Sequence, residues 1–570
     1  MPRLETEKLV ARLMAFTLSA VTIVVFTQSV TDPVNVTKLF VLGALAFATT
    51  GAALRTFNFQ FMKLNRVPLI LLATFLVFSI STLIVSRAPL AQSLYGVYGR
   101  NNGFLLYFLL GLLFISTLTI TNQQLFRKYL VALSIAGVVN ILYALWVMAF
   151  GDFIGWSNQY GNLLGTLGNP NFIGSFFGMF SALLFTLVAS KDESRNLRMG
   201  ALVLLPLVFL GIVDSHAVQG KVLFIAGAGI VLFFWIRDRF PSKWFSLTYL
   251  GLAAFGFVVS LFGTLQKGPL AGLLYKETVS LRGEYWHAGW MTGLANPIFG
   301  AGFDSYGDWY RRSRRESALS LPGINTVTNT AHNVYLDIFA SGGWPLFISY
   351  ILLVVVVVIS IARFTLRNRK FDSIFVGLTS VWVCYQLQST ISINQIGLAV
   401  WGWAFGAAII AYEINDSRNT TNSQVSPAGS STKTHKLKKS QASVVTPGLL
   451  AGLAAVVGML LAVPPLSADM KWRSAQISQD ANQIEAVLTP SYLNPINTFA
   501  FNNIVGVFET NKLTDLAYKH GKDAVKFNPD SFEAWRNLSQ LSKTPDVERQ
   551  EAFTNMKRLD PLNRTIGVAE

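Results

Sequence analysis

The chain has 570 residues, of which 52% are hydrophobic and only 13% are Asp, Glu, Lys or Arg, with a mean hydropathy of +0.44. Soluble domains carry roughly 25% charged residues, so this composition excludes a soluble globular protein. The formal net charge of +16 needs no nucleic-acid partner, because the basic residues segregate to one side of a membrane topology.

Apolar runs of the length a helix needs to cross a hydrocarbon core of about 30 Å predict an all-α polytopic membrane protein of about thirteen spans. They fall near residues 9–30, 36–54, 67–85, 103–120, 128–150, 170–190, 199–214, 219–236, 244–263, 343–362, 372–391, 396–413 and 447–465. The first follows Arg3, Glu5, Glu7 and Lys8, shows no small-residue cleavage site, and is expected to be retained. With the N-terminus in the cytoplasm, clusters such as Arg55, Lys63 and Arg66, or Arg363, Arg367, Arg369 and Lys370, lie inside. The short outside connections then keep only Lys38, Arg87, Arg100 and Lys221.

Residues 1–413 thus form a transmembrane domain whose long outside loop is 264–342. Residues 414–446 are rich in Ser, Thr and Lys and are expected to form a flexible cytoplasmic linker before the last span, 447–465. An odd span count puts residues 466–570 outside. This segment is polar, with apolar residues at helical spacing. Its Asn528-Pro529 and Asp560-Pro561 breaks lie 32 residues apart (560 − 528), close to the period of about 34 residues of tetratricopeptide repeats. A small tetratricopeptide-like helical domain that could engage a protein partner is the expectation, with a plain helical bundle as the alternative.

No GxxxxGK[ST] loop, dinucleotide fingerprint or HExxH occurs, and Cys384 is the only cysteine. No metal site and no cofactor are expected, so any reaction must use a substrate that arrives already activated. In the long loop, Arg282, Trp286 and Trp290 share one helical face with Gly289 and Gly293, a pattern that suits gripping an anionic headgroup or lying at the membrane interface. Arg311, Arg312, Arg314 and Arg315 read as a solvated face attracted to anionic lipid. His332, at the loop's end, can exchange a proton near neutral pH and is a candidate general base, with Asp337 to orient it. A structural role is the other reading. Asn169-Pro170 opens the sixth span as N-cap and first helical residue, which leaves backbone N–H groups facing outward, either for an anion or as plain capping. Arg100 adds an outer-face cation.

Four segments in order, YGRNNGFLLY (98–107), GTLGNPNF (165–172), Arg282–Trp290 with ANPIFGAGF (295–303), and TAHNVYLDIFASGGWPLF (330–347), resemble the O-antigen ligase and O-antigen polymerase superfamily. The resemblance implies an integral glycosyltransferase of a bacterial cytoplasmic (inner) membrane. Such an enzyme moves a glycan from a polyprenyl (undecaprenyl) diphosphate donor to a glycan, lipid or protein acceptor hydroxyl, with inversion and without metal or nucleotide. By that likeness His332 is the base and Arg282 holds the diphosphate. The family's second diphosphate Arg, between the seventh and eighth spans, is missing here. His216 and Lys221, in the sequence Asp214–Lys221, or Arg100, are the candidates to replace it. Ligase chemistry is the leading expectation. A polysaccharide polymerase of the same family is one alternative. A transporter or flippase of polyprenyl-linked glycan is another, although no inverted repeat is evident.

Overall fold

A computed structural model describes residues 2–156, 158, 161–425 and 445–567. Among them the chain is helical with no strand. The membrane region comprises α1 (Pro2–Ile23), α2 (Asn35–Ala53), α3 (Arg66–Val85), α4 (Phe104–Leu118), α5 (Arg127–Phe150), α6 (Pro170–Ala189), α7 (Arg195–Asp214), α8 (Val218–Arg239) and α9 (Lys243–Thr264). Two helices of the long loop follow, α10 (Glu277–Ala295) and α11 (Tyr306–Ser313), and then α12 (Val334–Arg367), α13 (Ser373–Ser389), α14 (Ile396–Val425) and α15 (Val445–Ser478). Among the described residues ten helices are long and apolar enough to cross a membrane. The other three expected spans fall on α1, α4 and α13.

Several boundaries differ from expectation, α12 starting at Val334 and α15 running on to Ser478, and two differ for a long-range reason. The first helix ends at Ile23, not near residue 30. Its last carbonyls, on Val21, Thr22 and Val24, accept from the Lys38 ammonium at 2.9, 2.7 and 2.9 Å. Lys38 is therefore a fully buried helix cap, not a cation on an outside connection. Lys38→Met is expected to strand these acceptors at about 1–3 kcal/mol for an orphaned group. That would appear as a lower midpoint in fluorescence-detected thermal unfolding. The second difference is at the expected linker, where α14 continues to Val425, so 414–425 are helical. Arg367 holds this extension, pairing with Glu413 at 3.1 Å and Asp416 at 2.8 Å, and Asn415 donates to the Ile120 carbonyl. Residues 426–444 lie outside the described residues.

Beyond α15, residues 481–559 form α16 (Ala481–Val487), α17 (Thr498–Thr510), α18 (Thr514–Phe527), α19 (Phe532–Gln540) and α20 (Asp546–Leu559). Helices α17 and α18 pack as one pair and α19 and α20 as the next. The pairs end at Asn528-Pro529 and Asp560-Pro561, the two breaks read from the sequence. Their core, around Ile504, Phe508, Ala534 and Leu559, is separate from that of the membrane region.

This C-terminal domain sits on the long loop. Arg314 donates to both Asp560 oxygens at 2.8 Å, and neither side chain is exposed. Arg311 adds bonds to Asp560 at 3.2 Å and Glu533 at 3.1 Å, with its guanidinium 4.1 Å from the Phe532 ring. Arg312 pairs with Asp530, and Arg315 makes a two-pronged bond to Glu284 of α10. The arginine cluster is therefore not a solvated lipid-facing patch. It clamps the C-terminal domain onto the loop and braces the loop internally. The long loop and the C-terminal domain accordingly share one face of the molecule.

Candidate functional site

The site is organised by a break in α12. At Gly343 the backbone turns to φ 65°, ψ −163°, a left-handed conformation natural to glycine, and Pro345 offers no N–H two residues later. The Ala340 and Ser341 carbonyls are thereby released from the helix. They accept instead from Ala301 and Gly302 at 2.9 and 3.0 Å, while Trp344 donates to the Pro297 carbonyl at 2.8 Å. The loop segment 295–303 is thus stitched across the break, and residues 334–342 become a separate half-helix. Helix α10 lies against this half-helix. A Cβ on Gly293 would come within 2.4 Å of the Phe339 ring, so only glycine permits the approach. Trp290, Phe339 and Trp344 close the contact with ring centroids 4.6–5.7 Å apart.

His332 immediately precedes this half-helix. Asn333 is the N-cap, accepting from the Tyr335 and Leu336 N–H groups, and the first-turn Asp337 accepts from the Ala331 N–H at 2.6 Å. Asp337 therefore orients the backbone next to His332, not the imidazole itself. The ring stacks instead on Tyr285 of α10, with centroids 5.4 Å apart at 28°. Tyr285, a site residue the sequence reading missed, is held by the Tyr306 hydroxyl, which donates to its carbonyl at 2.8 Å. His332, Asn101 and Asp304 all have φ near 55°, a costly conformation for side-chain-bearing residues that persists where the surroundings enforce it.

Burial, then the Arg100 charge, then the Arg282 charge hold His332 down from 6.5 to about 4. The imidazole is neutral at physiological pH and able to accept a proton. Because the folded value lies below the unfolded one, the stabilising contribution is complete above pH 6.5. It is lost as pH falls toward 4.

The two cations are themselves unusual. Arg100 donates to the Asn329 side chain at 3.4 Å, and Arg282, half-buried, has no hydrogen-bond acceptor among the described residues. Neither makes an ion pair there, although Arg311, Arg312, Arg314 and Arg315 all do. Burial pushes the proton affinity of both down. One turn after Arg282, the Trp286 indole N–H is buried without an acceptor. Beside Arg100, buried Asp304 accepts from the Val97 and Asn102 N–H groups at 2.8 and 3.2 Å. It fixes the 97–102 turn and is itself pushed up by burial to about 6.

The remaining candidates gather elsewhere. Asn169 is the N-cap of α6, its side chain accepting from Asn171 N–H at 2.9 Å. Gln219 of α8 donates to the Asn171 carbonyl, which brings the starts of α6 and α8 together. His216 and Lys221 are exposed beside them. No contact joins Asn169, His216 or Lys221 to His332 among the described residues. Of the candidates for the second diphosphate contact, Arg100 is the one whose charge acts on His332.

A half-helix that presents a neutral histidine, with two unpaired guanidiniums bearing on it, can deprotonate a hydroxyl beside a bound anion. No curated protein matches the chain, whereas residues 201–351 match the family model described as O-antigen ligase. That segment carries α8, α10, Arg282 and His332, and over it the chain is similar to the O-antigen ligase family.

Proposed function

We propose that this enzyme transfers a glycan from a polyprenyl-diphosphate donor to an acceptor hydroxyl at the face bearing the long loop, as a ligase. His332 takes the acceptor's proton and the acceptor oxygen bonds to the anomeric carbon. The bond from that carbon to the diphosphate oxygen breaks, and Arg282 and Arg100 stabilise the departing diphosphate. A direct displacement of this kind inverts the anomeric centre. The observation that carries the proposal is that Arg100 and Arg282 form no ion pair among the described residues while the charges of both bear on His332, Arg282 having no carboxylate acting on it at all. Unpaired buried cations cost free energy unless an anion completes them, and the Trp286 N–H is a further donor awaiting an acceptor. The apolar spans supply the lipid surface along which a polyprenyl chain reaches the site.

The sign of the electrostatics gives a test. An anion between the two guanidiniums offsets the charges that depress His332. Adding inorganic pyrophosphate is therefore expected to raise the His332 pKa from about 4 in histidine-detected NMR, with the shift lost in Arg282→Ala. No shift in the unmodified protein would contradict the diphosphate reading. In kinetics, kcat/KM, which reports the free enzyme, is expected to fall only as pH approaches 4, while the acid limb of kcat lies higher. Ligase and polymerase share this chemistry. A single-band shift on one acceptor identifies the former, and a ladder of glycan lengths the latter.

A further inference from the structure

A cavity of about 470 Å3 lies between the C-terminal domain and the loops that carry the site, with Arg100 and Asn329 in its wall. Its size falls within the roughly 300–1,000 Å3 typical of small-molecule sites. We propose that it is a saccharide subsite, in which the C-terminal domain helps to bind the glycan of one of the two substrates. This proposal rests on the transferase reading above and adds to it a binding role for residues 498–533.

Charge decides what the cavity can hold. Arg100 and Arg311 face Asp304, Asp308 and Glu533 across it, and Arg311 is already committed to Asp560 and Glu533. A diphosphate placed here would meet more carboxylates than free cations. A hydroxyl-rich neutral ligand would find acceptors and donors in mixture. The wall also offers an aromatic platform. Tyr98 from the 97–102 turn and Phe499 from α17 line it and stack on each other with centroids 4.7 Å apart and planes 5° from parallel, a paired aromatic wall of the kind that packs against the C–H groups of a pyranose.

The amides point the same way. Asn502 of α17 borders the cavity, and its Oδ1 is buried with no hydrogen-bond partner, an acceptor that a sugar hydroxyl would satisfy. Asp308, a second acceptor in the wall, makes no ion pair among the described residues. Its carboxylate accepts only amide N–H groups, from Gln92 at 3.0 Å and Asn528 at 3.2 Å. Arg100 belongs both to this cavity and to the His332 group, so a sugar held here has its reactive end at the base. The division of labour is then spatial, with the diphosphate toward Arg282 and the sugar toward the C-terminal domain.

The test uses full-length protein in nanodiscs and two probes. One is glycan released by mild acid from the lipid-linked glycans of the producing cell. The other is unmodified acceptor glycan from a strain lacking this enzyme. Wild type is expected to bind at least one probe by saturation-transfer NMR, and the one bound identifies which substrate the cavity serves. Asn502→Trp, which fills the cavity, and Asn502→Leu, which removes the amide at similar volume, are each expected to weaken saccharide binding at least tenfold. Pyrophosphate binding should be unchanged in both. Binding of neither probe by wild type, unaltered saccharide binding in both variants, or loss of pyrophosphate binding in them would overturn the subsite. Failure of the transferase reading is a separate result, namely glycan transfer by His332→Ala, and leaves the binding measurements standing.

Discussion

Asp560→Asn is expected to release the C-terminal domain from the membrane region. Asp560 is the single carboxylate between Arg311 and Arg314, at 3.2 and 2.8 Å, and it and Arg314 are fully enclosed. Removing its charge leaves the buried Arg314 guanidinium without a carboxylate and Arg311 with only Glu533, a change that costs about 3–5 kcal/mol when one partner of a buried pair is lost. The remaining ties are fewer and more exposed. Arg312 to Asp530 is partly open to solvent, and exposed pairs contribute about 0–1 kcal/mol. The domain's own core, around Ile504 and Leu559, does not include the clamp, so the domain should remain folded while undocked. Limited proteolysis is the direct measurement, with cleavage near residues 478–481 or 491–497 rising sharply in the variant. A double variant, Asp560→Leu with Arg314→Met, replaces charges by apolar groups of similar size and is expected to recover part of the docking, because no guanidinium is then left without a carboxylate, Arg311 keeping Glu533. Equal protease resistance of Asp560→Asn and wild type would contradict the clamp.

His332→Ala is expected to lower glycan transfer by about 100-fold to 10,000-fold, the usual contribution of a positioned general base. The protein should still fold and insert. The half-helix is fixed by Asn333, Asp337 and the exchange of carbonyls at Gly343, none of which uses the imidazole. His332→Gln keeps a planar polar group against Tyr285 but cannot take a full proton, so it should resemble the alanine variant. Donor binding should persist in both, since Arg100 and Arg282 are untouched.

Much of this architecture is legible in the sequence because bilayer thickness dictates helix length, and all thirteen expected spans coincide with helices. The loop helix α10 and the Asn169 cap are equally local signals. What escaped sequence reading depends on partners distant along the chain. Arg314 looks like a solvated cation until Asp560, 246 residues away, is placed against it. Lys38 looks like a loop charge until the end of α1 turns out to need a cap. The kink at Gly343 is hinted at by Gly342-Gly343-Trp344-Pro345, but its consequence requires segment 295–303 to receive the freed carbonyls. Tyr285 carried no signal beyond its aromatic character. The Arg100 charge reaches His332 from a segment more than 200 residues away, and only the resemblance to a family made both residues candidates for one site.

The most direct measurement compares wild type and His332→Ala in cells, scoring lipid-linked donor and surface polymer together. Loss of the mature polymer with accumulation of lipid-linked donor, at equal membrane levels of both proteins, is the predicted result. Undiminished polymer in the His332→Ala strain would contradict the assignment of this histidine as the base of a glycan transferase.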